Sequence, residues 1–160
     1  MKTGIVTVEY REARDLLDHI ILAAPKHEDG ISVAVVDIYG LLLCQATLPG
    51  VTQMSVDAAR RKALTVIRLG RDTVTLCHEE KPQDRDFPEP TPIWVPTNSS
   101  WSKDDIREAH AADPDFCAWA GGVQVISPAD GSMIGAIGVS GLSELEDHAL
   151  ASLRPSGWSA

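Results

Sequence analysis

The sequence predicts an α/β chain of the α+β kind, with an antiparallel sheet flanked by helices. Three observations lead there. Two stretches, 31–47 and 121–139, each hold two β-branched runs joined by a short turn. Segments with apolar residues at three- and four-residue spacing separate those stretches. The length of 160 residues, 44% of them hydrophobic, is enough for one buried core. Hairpins that follow one another favour antiparallel pairing.

The elements follow in order. Alternating residues at 3–8 predict a short leading strand. Ala13, Leu16, Leu17, Ile20, Ile21 and Ala24 form one apolar helical stripe, ended by Pro25 and by Glu28-Asp29-Gly30. The run 31–38 reads as a buried strand, and 40–47 as its hairpin partner across Asp37-Ile38-Tyr39-Gly40. Ser55 is the predicted N-cap of a second helix, with Ala59, Ala63, Val66 and Ile67 on one face and Gly70 as its stop. Lys62 lies about 60° from Ala59 and borders that face, while Arg61 and Arg68 point away. Pro82, Pro88, Pro90, Pro92 and Pro96 make about 79–100 a long excursion with no regular element. Ser102 caps a short helix at 103–111, which Asp113-Pro114 ends. Gly121-Gly122 opens a strand at 123–126, and Ala129-Asp130-Gly131-Ser132 turns it into 133–139. Ser143 caps a last helix to about Leu153, and the tail from Pro155 reads as frayed. No internal repeat interrupts this order, so residues 1–160 are expected to form one domain.

Composition excludes several classes of function. The net charge of -9 repels phosphate, so no nucleic-acid partner is expected. No long apolar stretch marks a membrane span, and the first residues lack the apolar core of a signal peptide. Cys44, Cys77 and Cys117 are odd in number and widely spaced, which signals neither a disulfide framework nor a zinc site. A cytoplasmic protein without a bound metal ion is the resulting expectation.

Four segments carry a family resemblance. They are Val33-Ala34-Val35-Val36-Asp37-Ile38-Tyr39-Gly40, Ala59-Arg60-Arg61-Lys62-Ala63-Leu64-Thr65, Gly121-Gly122-Val123-Gln124-Val125, and Gly135-Ala136-Ile137-Gly138-Val139-Ser140-Gly141 followed by Asp147 and Ala151. In this order and spacing the chain resembles the GlcG/HbpS family, which includes the C-terminal domain of PduO. Gln124 stands where the family has Pro, and Leu142 where Gly is common. The resemblance implies a profilin-like antiparallel sheet and a homo-oligomer, from dimer up to octamer. It also implies a small-molecule ligand, with haem a possible cofactor because some relatives bind or degrade it.

Each candidate residue has a functional and a structural reading. Asp37 either moves a proton or stabilises its turn. Lys62 either contacts an anion, such as a carboxylate or a haem propionate, or lays its stem over apolar surface. Gly121 and Gly122 either let a ligand approach backbone amides or serve tight packing. Ser140 either ligates or caps, and it lacks the Gly-x-Ser-x-Gly setting of a hydrolase. His110, on the short helix before Gly121-Gly122, is the histidine placed to act as ligand or acid–base group, against His19, His27, His78 and His148 elsewhere. Trp119, with Trp94 and Trp101, either walls a ligand or covers a subunit interface. Two functions stand. One is a small-ligand-binding protein of the GlcG/HbpS type that binds or degrades haem. The other is a cofactor-independent enzyme on a small hydroxy or oxo acid, with Lys62 on the carboxylate, the Gly121-Gly122 amides on a carbonyl, and His110 or Asp37 moving the proton. A structural partner in a metabolic operon is a third reading.

Overall fold

The computed structural model describes residues 5–24, 30–76 and 102–158. The excursion at 79–100 with Trp94, together with Trp101, Cys77, His27 and His78, lies outside the described residues. The elements are α1 (Tyr10–Ala23), β1 (Ser32–Asp37), β2 (Leu42–Thr47), α2 (Gln53–Leu69), a 3₁₀ turn (Thr73–Leu76), α3 (Lys103–Ala112), β3 (Gly122–Ile126), β4 (Met133–Ser140) and α4 (Glu144–Ala151). The strands form one sheet in the order β2-β1-β4-β3, antiparallel throughout. Both expected hairpins form. They join through β1 and β4, from Ser32 opposite Ser140 to Asp37 opposite Gly135. Central position explains why β1 is buried at every residue while β2, at the edge, is not.

Side chains alternate across the sheet, and each face meets a different layer. Val33, Val35, Val123, Val125, Ile137 and Val139 pack with Leu16, Leu17 and Ile20 of α1 and Leu150 of α4. The opposite face carries Val36 and Ala136 under Ala63 and Val66 of α2. There α2 lies close enough that a side chain at Gly138 would run into the carbonyl oxygen of Ala59. Small residues on both sides therefore set the depth at which α2 sits, and everything α2 carries is lowered with it.

Three local expectations change. Residues 5–9 form no strand, because the chain enters α1 almost at once: Glu9 and Glu12 close a capping box there. Val8 N donates to Ile134 O at 2.8 Å and the Thr7 hydroxyl to the same oxygen at 3.2 Å, which ties the segment to β4. Helix α2 is capped by Thr52, whose hydroxyl accepts from Ser55 N at 3.2 Å, so Ser55 sits in the first turn. Helix α4 ends at Ala151, two residues before the expected limit. Ser102, Ser143 and Gly70 cap as their residue types predict, Gly70 in the left-handed region at φ 69°.

The outer edge of β3 is sealed by side chains. Gly122 N donates to Thr73 Oγ1 and Gln124 N to Asp72 Oδ1, each at 2.9 Å, while Gln124 O accepts from Arg154 Nη2 at 3.0 Å. These bonds replace a fifth strand and block edge-to-edge pairing on that side. Among the described residues no helix is long and apolar enough to cross a membrane.

Candidate functional site

Trp119 stands between two cavities of opposite character. The larger, about 490 Å³, is a half-open cleft between α2 and α3. Met54, Ala58 and Arg61 line it from α2, and Ile106, Arg107 and His110 from α3, spaced three and four residues apart as one helix face requires. Phe116, Cys117, Ala118 and Trp119 close its end. This end is tied down onto α2. Arg60 pairs with Asp115 at 3.1 Å, Arg68 with Asp113, and Cys117 N donates to Thr65 Oγ1 at 2.9 Å.

The charges of the cleft are one-sided. Among the described residues Arg61, Arg107 and His110 line it, and no carboxylate does. Arg61 Nη2 donates to Phe116 O at 3.3 Å, yet its buried Nε has no partner among the described residues. Among the described residues Arg107 pairs with exposed Asp104, at 3.1 Å. Burial pushes the Cys117 thiol up, against the pull of nearby Lys62, so this sulfur stays protonated at neutral pH.

The smaller cavity, about 320 Å³, lies at the end of β4 and the start of α4. Its wall includes Ser55, Lys62, Trp119, Ser140, Glu144 and Asp147. Lys62 neither snorkels nor reaches solvent; it is 2% exposed. Its ammonium donates to Asp147 Oδ2 at 3.0 Å and to Val139 O at 2.9 Å. Asp147 Oδ1 accepts from Leu142 N at 3.0 Å. Burial lifts the Asp147 pKa to about 6, with Lys62 opposing the rise.

The sequence candidates separate in space. Trp119 lines both cavities, His110 only the larger, and Lys62 and Ser140 only the smaller. Gly121 and Gly122 are buried behind Lys62: an added Cβ at Gly121 would stand 3.0 Å from Lys62 Nζ, and one at Gly122 2.6 Å from Lys62 O. The Gly122 amide is engaged by Thr73, so it is not offered to a ligand. Asp37 lies five residues along the sheet from the Ser32–Ser140 end, about 17 Å away. Its Oδ1 accepts from Tyr39 N and Leu41 N, each at 2.9 Å, which holds the hairpin turn. Sequence reasoning left Arg61, Arg107 and Asp147 without roles. Arg107 shares a helix face with His110, three residues on, and Asp147 is the one acid carried by the family-like segments after Ser140. Among the described residues no cluster of His, Cys, Asp and Glu could hold a metal ion.

A family model described as haem degrading protein HbpS-like matches residues 8–153. No curated protein matches the chain. Among solved structures, Klebsiella pneumoniae protein ORFY, of family model DUF336, superposes with a TM-score of 0.68 at 21% identity, covering 94% of this chain and 91% of that one. A double mutant of Streptomyces reticuli HbpS gives 0.66 at 24%, covering 94% and 86%. The PduOC:Heme complex gives 0.65 at 19%, covering 91% of each chain. At such identities the likeness is one of fold.

Proposed function

Because this chain belongs to the HbpS-like family, described as haem degrading, we propose that its α2–α3 cleft binds a flat, apolar, doubly anionic ligand of the haem class. The observation that carries the reading is the charge of the cleft. In a chain of net charge -9, the described residues that line the cleft include Arg61, Arg107 and His110 and no carboxylate. Its volume falls within the usual range for small-molecule sites, about 300–1,000 Å³.

The donor set fits haem. Arg61 and Arg107 would each hold one propionate through charge-assisted hydrogen bonds, and the unpartnered Arg61 Nε is a donor such a group would satisfy. Met54, Ile106, Phe116 and Trp119 would cover the apolar ring. His110 is the imidazole available to the iron. Bound haem would supply redox and oxygen-binding chemistry. The protein's own residues bind the ring, fix its orientation and keep water from one side of it. The cofactor-independent enzyme needs Lys62, the Gly121-Gly122 amides and His110 or Asp37 at one site; against it, Lys62 is paired with Asp147, the Gly122 amide with Thr73, and His110 lines the other cavity.

Titration with haemin tests the proposal. A shifted Soret band that saturates at one-to-one stoichiometry is expected. A spectrum identical to free haemin at every ratio overturns it.

Self-association and a cytoplasmic location belong to the same reading. Exposed Tyr39, Leu41 and Leu42 at the β2 edge support a homo-oligomer, and free Cys44 and Cys117 suit a reducing compartment. Light scattering should give at least twice 17.2 kDa, and a monomer at micromolar concentration overturns the assembly.

A further inference from the structure

We propose that the cavity beside Lys62 and Asp147 is a second binding site, distinct from the α2–α3 cleft, for a small uncharged polyhydroxylic molecule such as a polyol or a monosaccharide.

Charge inventory selects the class. Lys62 and Asp147 neutralise each other at 3.0 Å, and Glu144 stands beside them on the wall. A helix N-terminus ordinarily attracts anions, but Glu144, Glu146 and Asp147 already occupy the first turn of α4. A carboxylate ligand would meet those acids, a penalty that hydroxyl groups escape, and the cationic probe in the test below separates a cation from a polyol.

The polar atoms match hydroxyls in both directions. A lysine ammonium has three donors, and the described residues use two of those of Lys62. Each Asp147 oxygen accepts one bond from the described residues and keeps capacity for another. Ser140 and Ser55 add hydroxyls that donate or accept. These groups are held rigidly: Lys62 and Asp147 are each 2% exposed and Ser140 is 5% exposed. A ligand's hydroxyls would therefore meet polar groups already in place rather than mobile surface chains. Gly121 keeps the ammonium uncrowded, since any side chain there would press on Lys62 Nζ. Trp119, 54% exposed, adds the aromatic surface against which the C–H face of a polyol packs.

The test uses amide-resolved NMR of the whole protein with four probes: glycerol, D-glucose, glycolate and ethanolamine. Saturable shifts of the Gly141 and Leu142 amides and the Trp119 indole are expected with glycerol or glucose, and none with glycolate or ethanolamine. Ser140→Ala should weaken the polyol about tenfold, the loss of one buried hydrogen bond. Its melting temperature and its haemin titration should stay unchanged, because Ser140 does not line the larger cleft. Ser55→Ala, on the half-exposed flank of α2, gives a second reading should Ser140→Ala fail to fold. The proposal is overturned if neither polyol produces a saturable shift, if a charged probe binds more tightly, or if both serine variants bind polyol as the parent does. Because the readout needs no haem, failure here and failure of the haem reading are separate results.

Discussion

The Lys62 ammonium and the Asp147 carboxylate meet at 3.0 Å with each side chain no more than 3% exposed. The pair joins α2 to α4, and Lys62 adds a bond to Val139 O on β4. Three layers of the fold thus meet at one ion pair. Such a pair adds little net stability against an apolar replacement, because desolvation cancels much of the attraction. Removing one partner is another matter, since the other is left charged in a dry place.

Lys62→Ala should therefore unfold the protein more readily, by about 3–5 kcal/mol. An anion-contacting Lys62 would instead put the loss on ligand affinity. Urea midpoints measure the effect. The double variant Lys62→Met/Asp147→Leu should recover most of the loss, and a Lys62→Ala midpoint equal to the parent's would refute the structural role.

The same pair sets a pH dependence. Burial holds the Asp147 pKa at about 6 in the folded protein, against an ordinary 3.8. Between those values the folded chain keeps a proton that the unfolded chain has released. Its stabilising contribution is full below about pH 4 and is lost as pH rises through about 6, by roughly 3 kcal/mol in total. Asp147→Asn should abolish that slope. Urea unfolding of both proteins across this window tests it; parallel pH profiles would remove Asp147 as the cause.

Gly122→Val should destabilise the fold rather than merely block a ligand. A Cβ there lies 2.6 Å from Lys62 O and 2.9 Å from both Thr73 Cγ2 and Val66 Cγ2. Two of these neighbours are branched side chains and one is backbone, so none yields easily. Overpacking of this kind costs about 1–3 kcal/mol. A melting temperature equal to the parent's would show that the segment can move aside.

The sheet was legible because both hairpins announce themselves by β-branched runs and glycine turns, and the register then brings Ser32 opposite Ser140. The role of Lys62 was not. Helical periodicity places it about 60° from Ala59, at the border of the apolar face, and says nothing of depth. Depth comes from Gly138 and Ala59, two residues 79 positions apart that let α2 settle onto β4. For the same reason Arg61 looked like a solvent-facing residue. It lines the cleft because α3 lies across from it, a contact that no local pattern encodes. Chain order alone brings His110 near Trp119, since α3 leads directly into the Trp119 segment.

Asp37→Ala should loosen the β1–β2 hairpin. One carboxylate oxygen accepts from Tyr39 N and Leu41 N, and losing an acceptor of this kind costs about 1–3 kcal/mol. Haemin affinity should be unchanged, since Asp37 does not line the cleft. A haemin spectrum altered in a variant of parental stability would restore a functional role to Asp37.

Arg107→Glu separates charge recognition from folding. Arg107 is exposed, and its ion pair with Asp104 three residues earlier is of the surface type that contributes little to stability. The variant should melt with the parent. In the cleft it replaces a cation by an anion beside Arg61 and His110, so a dianionic ligand loses one favourable contact and gains a repulsion. Haemin affinity should fall about tenfold or more, with the larger loss at low salt, where screening is weakest. Arg14→Glu on α1, outside the cleft, changes net charge by the same amount and should leave haemin affinity nearly unchanged. His110→Ala should act differently again: on the proposed reading it alters the Soret position, because it removes the imidazole that would meet the iron rather than a group that would meet the rim. If Arg107→Glu and Arg14→Glu weaken haemin equally, the ligand senses only overall charge, and the cleft is not its site.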